Sequence, residues 1–217
     1  STSKLNLIIS GSEFTLMKKI FEDHNDPFFG RANQQILVKP FSTEVMKTVL
    51  GDFQPNYRNE DLLALFAISG GVPWYVSLLM DKGKWDKDDM LGYLTEENSP
   101  FINEGKNILI EEFGTDYTMY FSILTCIAGG LKSRGELESE LKESNIGSYL
   151  TRLENYYGLI EKHLPIFAKE NSKKTRYALS DCFLTLWFRF FFKYQAIVAN
   201  DALNQLDIII RRDYDSF

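Results

Sequence analysis

The chain has 217 residues, of which 44% are apolar, 25% charged and 14% aromatic, with a net charge of −6. This composition excludes an intrinsically disordered chain and suffices for a sizeable core in one or two domains. The acidic balance argues against a chain that coats nucleic acid over its whole surface, while leaving room for a local basic patch.

The opening stretch "STSKLNLIISGSEF" contains a short continuous apolar run, Leu5 with Leu7 to Ile9, that stops at Ser10-Gly11-Ser12. Such a run predicts a strand buried on both faces, as in the middle of a parallel sheet. Ser12 is placed to cap a helix over Glu13 to Asp23, where Phe14, Met17, Ile20 and Phe21 recur at helical spacing. A loop broken by Pro27 and Gly30 leads to a second strand, "QQILVKPF", centred on Ile36 to Val38. Two strands alone do not make a stable sheet in water. The front of the chain therefore reads as the end of a larger sheet, and the chain as the latter part of a larger protein.

Helices follow. Ser42 caps one that runs to about Leu50, and Asn59 caps another, Glu60 to Ser69, which stops at Gly70-Gly71. Pro73 suits the first turn of the next, through about Met80. The solvated run "DKGKWDKDD" precedes one or two helices between Met90 and Phe113. From Asp116 the pattern changes. An apolar helix, Tyr117 to Ala128, ends at Gly129-Gly130; Ser133 caps a short helix, Asn145 caps another that terminates at Gly158, and two extended runs then flank a charged tip. Helix, short helix, second helix and β-hairpin is the order of a winged helix-turn-helix.

Cys182 to Ala199, "CFLTLWFRFFFKYQAIVA", is the stretch closest to a membrane span. Arg189 and Lys193 interrupt it on one helix face, and each would cost about 2.5–3.5 kcal/mol at the centre of a bilayer. A helix buried in protein, with Arg189 paired to an acid such as Asp181, is the better reading. A final helix covers about Leu203 to Arg211. No secretory signal is recognisable, and Cys126 and Cys182 sit in apolar contexts without metal-ligand spacing. They read as free thiols in a reducing compartment, and the protein as cytoplasmic with no membrane partner.

Three stretches in this order, "LIISGS", "PFFGRANQQILVKPFS" and "GGVPWYVSLL", resemble the archaeal-type ATPases of the AAA+/STAND side of the P-loop NTPases. "YALSDCFLTLWFRFFFKY" is similar to the opening of a C-terminal domain that often follows them, described in that family as restriction-endonuclease-like. The resemblance spans nearly the whole chain. It implies a mainly α fold with small β content: the end of an α/β P-loop core at residues 1–41, a helical lid at 42–115, a winged helix at 116–181, and the start of the C-terminal domain at 182–217.

The resemblance puts Ser12 at the sensor-1 position, facing the γ-phosphate or attacking water, with a helix cap as the alternative. It puts Arg31 where relatives carry an arginine finger, which would stabilise the charge of a transferring phosphoryl group; the alternative is a loop arginine paired with Asp23 or Asp26. Gly70, Gly71 and Pro73 resemble the glycine-proline element of STAND lids, whose proline lies near the adenine. A helix stop followed by a helix start explains the same residues, and Trp74 stands where many relatives carry a basic residue.

What the sequence lacks matters as much. A phosphate-cradling loop needs GxxxxGK[ST]. Gly83-Lys84 and Gly105-Lys106 are followed by Trp85 and Asn107, and neither pair has the upstream glycine. No apolar strand ends in paired acids to hold magnesium. This chain by itself is expected neither to hydrolyse ATP nor to carry a cofactor; ATP and Mg belong to the intact parent. Any metal-binding carboxylates of a nuclease-like domain would lie beyond Phe217.

The winged helix offers Asn145, Ser148, Tyr149 and Arg152 on its second helix, and Lys169, Lys173, Lys174 and Arg176 on the hairpin. Lysines on a wing suit contact with a DNA backbone. Glu136, Glu138, Glu140 and Glu154 stand against that reading, and winged helices also dock proteins or couple nucleotide state to a partner. "EGK" at Glu104 to Lys106 matches a nuclease fragment by chance, and His24 and His163 have no partners at ligand spacing. The chain is thus expected to be a C-terminal fragment of an AAA+/STAND ATPase whose winged helix serves a protein partner or DNA. The rival is a stand-alone winged-helix DNA-binding or regulatory protein without nucleotide chemistry.

Overall fold

Ser42 accepts a hydrogen bond from the amide of Val45 (3.4 Å) and opens α1, Thr43–Phe53, whose inward residues Met46 and Leu50 are fully buried. The computed structural model describes residues 7–11, 17, 20–113, 117–130, 132–168, 172 and 174–217. The fold is mainly helical, with one two-stranded antiparallel sheet among the described residues. The chain divides into a smaller unit ending at Leu37 and a larger one, Val38–Phe217.

In the smaller unit, Met17 and Ile20 to Glu22 are helical. Asp23 and Asp26 then fold the loop onto itself. The Asp23 carboxylate accepts from the Asn25 amide (2.9 Å), and that of Asp26 from the Phe28 amide (3.1 Å). His24 packs against Phe29 with the rings tilted by 47° and their centroids 4.0 Å apart. Among the described residues, neither expected strand is formed. Leu7 to Ile9 and Ile36 to Val38 lie outside any strand and are exposed, Ile8 at 92% and Val38 at 80%. A strand is held by hydrogen bonds to a neighbour, and no neighbour pairs with either segment among the described residues. Leu5, Ser12 and Phe14 lie outside the described residues.

In the larger unit, α2 is Asn59–Ser69 and begins one residue earlier than a cap at Asn59 would require. Arg58 occupies the cap position. The side chain of Asp61 reaches back to the Arg58 amide (2.7 Å) and grips its guanidinium (3.1 and 3.3 Å), while also accepting from the Lys87 amide (2.9 Å). Burial pushes the Asp61 carboxyl up, but these bonds outweigh it and hold the group below the usual aspartate value. A buried acid is thus fully satisfied, and it ties α2 to the start of α4, Lys87–Leu94.

Between them runs α3, Pro73–Asp81, with Pro73 in the first turn. Trp74 is half-exposed on it, whereas Tyr75 is buried. Next come α5, Phe101–Phe113, and α6, Tyr117–Ala128. Lys132 then exchanges backbone hydrogen bonds with Tyr177 (2.8 and 3.4 Å).

A capping box opens α7, Arg134–Leu141: Ser133 Oγ accepts from the Glu136 amide and Glu136 accepts from the Ser133 amide (2.6 Å). The turn after it places Lys142 and Asn145 at positive φ, so Asn145 is a turn residue and the helix cap is Ile146, itself buried. α8, Gly147–Asn155, leads into β1, Ile160–His163, which pairs with β2, Arg176–Leu179, in the register Ile160 to Leu179 and His163 to Arg176.

The aromatic stretch is core. α9, Cys182–Trp187, continues through a π-helical turn, Phe188–Phe192, in which Phe188, Phe190 and Phe191 are buried. Phe183 meets Tyr75 and Phe101 (ring centroids 4.6 and 5.8 Å), and Phe188 and Phe192 meet Phe121 of α6 (5.4 and 5.1 Å). Helices of the expected lid and the helix–hairpin module therefore share one core with the C-terminal segment. Trp187 lies against Gly105, where a Cβ would come within 2.3 Å of the indole, and its Nε1 donates to the Ile102 carbonyl (3.0 Å). The glycine of "EGK" is a helix-packing residue.

Asp181 does not pair with Arg189. It caps α9 through the Leu184 amide (2.7 Å), and Arg189 instead donates to the carbonyl and hydroxyl of Ser216 (3.1 and 2.7 Å). The chain closes with α10, Gln195–Ala199, α11, Leu203–Asp213, and a 3-10 turn at Tyr214–Ser216. Among the described residues, no helix is long and apolar enough to cross a membrane.

Candidate functional site: the glycine turn and the helix–hairpin face

The turn between α2 and α3 is shaped by a crossing of backbones. Gly70 is left-handed (φ 57°) and so is Gly71 (φ 78°). The Phe41 amide donates to the Gly71 carbonyl (2.7 Å), and a Cβ on Gly71 would fall 2.5 Å from the Phe41 oxygen. Glycine is required at 71 on both counts. Ser69 completes the turn, donating to the Leu65 carbonyl (2.6 Å) and accepting from the Gly71 amide (3.1 Å). The structure thus brings Gly70, Gly71 and Pro73 together in one pinned turn, with the half-exposed indole of Trp74 beside it.

Beneath the turn, the Tyr75 hydroxyl donates to Glu104 (3.3 Å), and burial, with the nearby carboxylates of Glu104 and Asp181, pushes its pKa far above the ordinary tyrosine value. A phenol held neutral in this way is a packing group with a polar handle and not a base.

Arg31 belongs to the smaller unit. It is exposed, its amide donates to the Phe28 carbonyl (3.1 Å), and its guanidinium makes no ion pair with Asp23 or Asp26.

The DNA-contact candidates separate into different environments. Ser148 is exposed near the start of α8. Arg152 is turned onto its own module: its guanidinium lies 5.8 and 5.9 Å from the Tyr120 and Tyr157 ring centres. Arg176 is bound to Glu136 of α7 (3.5 Å), and Lys162 is bound to Glu154 (2.5 Å). Lys174 is exposed, with its amide on Ser172 (3.2 Å). Lys173 lies outside the described residues. Acidic and basic side chains are evenly matched between Asp116 and Asp181, so the face lacks the basic excess that a phosphate backbone rewards.

Sequence reasoning passed over one feature of this face. The hairpin loop is apolar on its β1 side, where Ile166 and Phe167 are 93% and 98% exposed. The signal was readable in "LPIFA": Pro165 announces a turn, and large apolar residues inside a turn have nowhere to pack.

The thiols are unpaired. Burial and the neighbouring Glu140 carboxylate push Cys126 up to about 11, which leaves it an unreactive thiol at neutral pH. His163 hydrogen-bonds Glu161 (2.8 Å). Among the described residues, no group of three or more His, Cys, Asp or Glu side chains is arranged to hold a metal ion.

An uncharacterized protein of Methanocaldococcus jannaschii is similar to the chain, 27% identical over 217 residues, which is 99% of this chain and 47% of the relative. The chain thus spans about half the length of the curated relative it matches. No family model matches the chain, and no solved structure does.

Proposed function

We propose that the chain is the lid and winged-helix part of an archaeal-type AAA+/STAND ATPase of the cytoplasm, carrying the end of its P-loop core at the front and the start of a further domain after Asp181. The observation that supports this best is the unpaired, exposed state of Leu7 to Ile9 and Ile36 to Val38. Apolar segments of strand composition without a sheet are what remains of a core whose other strands lie elsewhere. The second segment leads directly into Phe41, whose amide is bonded to the Gly71 carbonyl (2.7 Å). A similar protein of about twice this length is consistent with a larger whole.

The residues of this chain do not fit a complete nucleotide site. It has no GxxxxGK[ST] loop, and packing against Phe41 accounts for Gly71. ATP and Mg would be held by the longer protein; the resemblance gives Arg31 of the smaller unit an arginine-finger role and, separately, Pro73 of the larger unit a role beside an adenine. The element α6–α7–α8–β1–β2 would act as the winged helix that relays nucleotide state to a protein partner. Paired arginines and matched charge favour that role over DNA contact. The DNA reading keeps Ser148 and Lys174, which are exposed.

Two measurements test the proposal. A Walker A segment encoded upstream of Ser1 is expected, and a coding frame without one overturns the reading. Purified chain is expected to show no magnesium-dependent ATP hydrolysis above background; turnover by the chain alone would equally sink it.

A further inference from the structure

Two features of the larger unit meet at the start of α9. The first is the Gly70-Gly71 turn, pinned on one side by the bond from the Phe41 amide to the Gly71 carbonyl (2.7 Å). Its other side faces α9. A Cβ built on Gly70 would lie 3.8 Å from both the Cβ and the amide nitrogen of Cys182, and 3.9 Å from the amide nitrogen of Phe183. Tyr75, just past Pro73, rests its ring against Phe183 of the same helix (ring centroids 4.6 Å) and fixes its hydroxyl on Glu104 (3.3 Å). The turn and the α3 helix that leaves it therefore both bear on the first residues of α9.

The second feature is the β1–β2 hairpin. Its last pair is Ile160 with Leu179, and the Ser180 amide adds a bond to the Leu159 carbonyl (3.0 Å). Asp181 follows at once as the cap of α9. Its carboxylate accepts from the Leu184 amide (2.7 Å), and its carbonyl accepts from the Thr185 amide (3.0 Å) and hydroxyl (2.7 Å). No slack linker separates the sheet from the helix, because Ser180 and Asp181 are both bonded.

We propose that the start of α9 is a stiff joint that transmits a change of the Gly70-Gly71 turn to the β1–β2 hairpin, with Asp181 as the positioning residue that holds it. Two consecutive glycines can change backbone hand at little steric cost, so the turn is the element able to take two arrangements. Packed elements carry such a change onward when neither can yield alone. Here the helix is fixed to the turn by packing and to the sheet by a bonded connection. What the joint would serve rests on the lid and winged-helix reading above. The coupling itself belongs to the larger unit and needs no nucleotide to be measured.

The test is amide hydrogen exchange on the full chain. Gly71→Ala displaces the turn, since its Cβ would meet the Phe41 oxygen at 2.5 Å. Gly70→Ala is the milder second variant, strained only by its left-handed φ of 57°. Exchange at the hairpin amides of Tyr177 and Ser180 is expected to rise about tenfold in the first and about threefold in the second, beyond any change at the Leu206 amide of α11, which reports loss of the whole fold. In a D181A background, where the cap is lost, the same glycine changes should move the hairpin amides less than about twofold. D181N keeps a capping oxygen and should restore the response. Hairpin amides that do not respond, or that respond only in step with Leu206, overturn the proposal. So does a response that persists undiminished in D181A. A coding frame without a Walker A segment would sink the nucleotide reading and leave this coupling standing.

Discussion

The segment from Phe183 to Phe192 and the hairpin tip at Ile166-Phe167 are both runs of large apolar side chains, and they meet opposite fates. Phe183, Phe188, Phe190 and Phe191 are almost fully buried, whereas Phe167 is almost fully exposed. Residue type is the same; architecture decides. A helix with apolar residues on every side lies between other elements and finds rings on several of them. A turn of four residues has no second face, and its corners point outward whatever they carry. The first arrangement makes stability, and the second makes an unsatisfied surface.

Substitutions can break or sharpen this contrast. Phe188→Ala, at the centre of the aromatic cluster, should lower unfolding free energy by about 4 kcal/mol in a urea titration, the range for truncating a buried ring. Asp61→Ala should cost about 3 kcal/mol, because it strips the Arg58 and Lys87 amides of a charged acceptor. The sign of its pH dependence follows from its lowered native pKa. Its contribution is present above the unfolded-state value of about 3.9 and is lost as pH falls through the lower native value. The variant should therefore match wild type most closely in acid, as melts between neutral and acid pH would reveal. Gly105→Ala, which drives a methyl into the Trp187 indole, should cost about 2 kcal/mol by the same titration. The double change I166S/F167S should leave stability within about 0.5 kcal/mol, the usual range for exposed sites. A large loss there would mean that the tip is packed after all.

Much of the helical framework was legible because it depends on local chemistry. Ser42 and Ser133 cap helices by accepting from backbone amides within their own turn, Pro73 starts a helix because its φ suits that position, and Gly70 ends one by turning left-handed. The differences have both local and distant causes. Arg58 displaced Asn59 as a cap because Asp61, three residues on, holds it. Asn145 became a turn residue because Ile146 is drawn into the core. Arg189 found Ser216, far along the chain, and left Asp181 to cap its own helix.

The strands failed for a related reason: apolar composition announces a wish to pair, and pairing needs a second strand. Among the candidate site residues, the Gly70-Gly71-Pro73 turn was visible as a turn, but its cause, the passage of Phe41 over Gly71, was not. For the hairpin, counting lysines drew attention to charge, while ion pairs with Glu136 and Glu154 removed two of its cations from consideration. The apolar corner between them carried the more unusual information.

The three tryptophans are ranked by depth, with Trp74 half-exposed on α3, Trp85 partly covered with its indole on the Met80 carbonyl, and Trp187 sealed against Gly105. This grading turns the molecule into its own optical ruler. Acrylamide would reach the first indole readily and the last hardly at all, and a red shift of the deep emitter would mark the moment the α5–α9 crossing opens. Fluorescence could then separate loss of the core from events at the surface in a single titration, with no label attached.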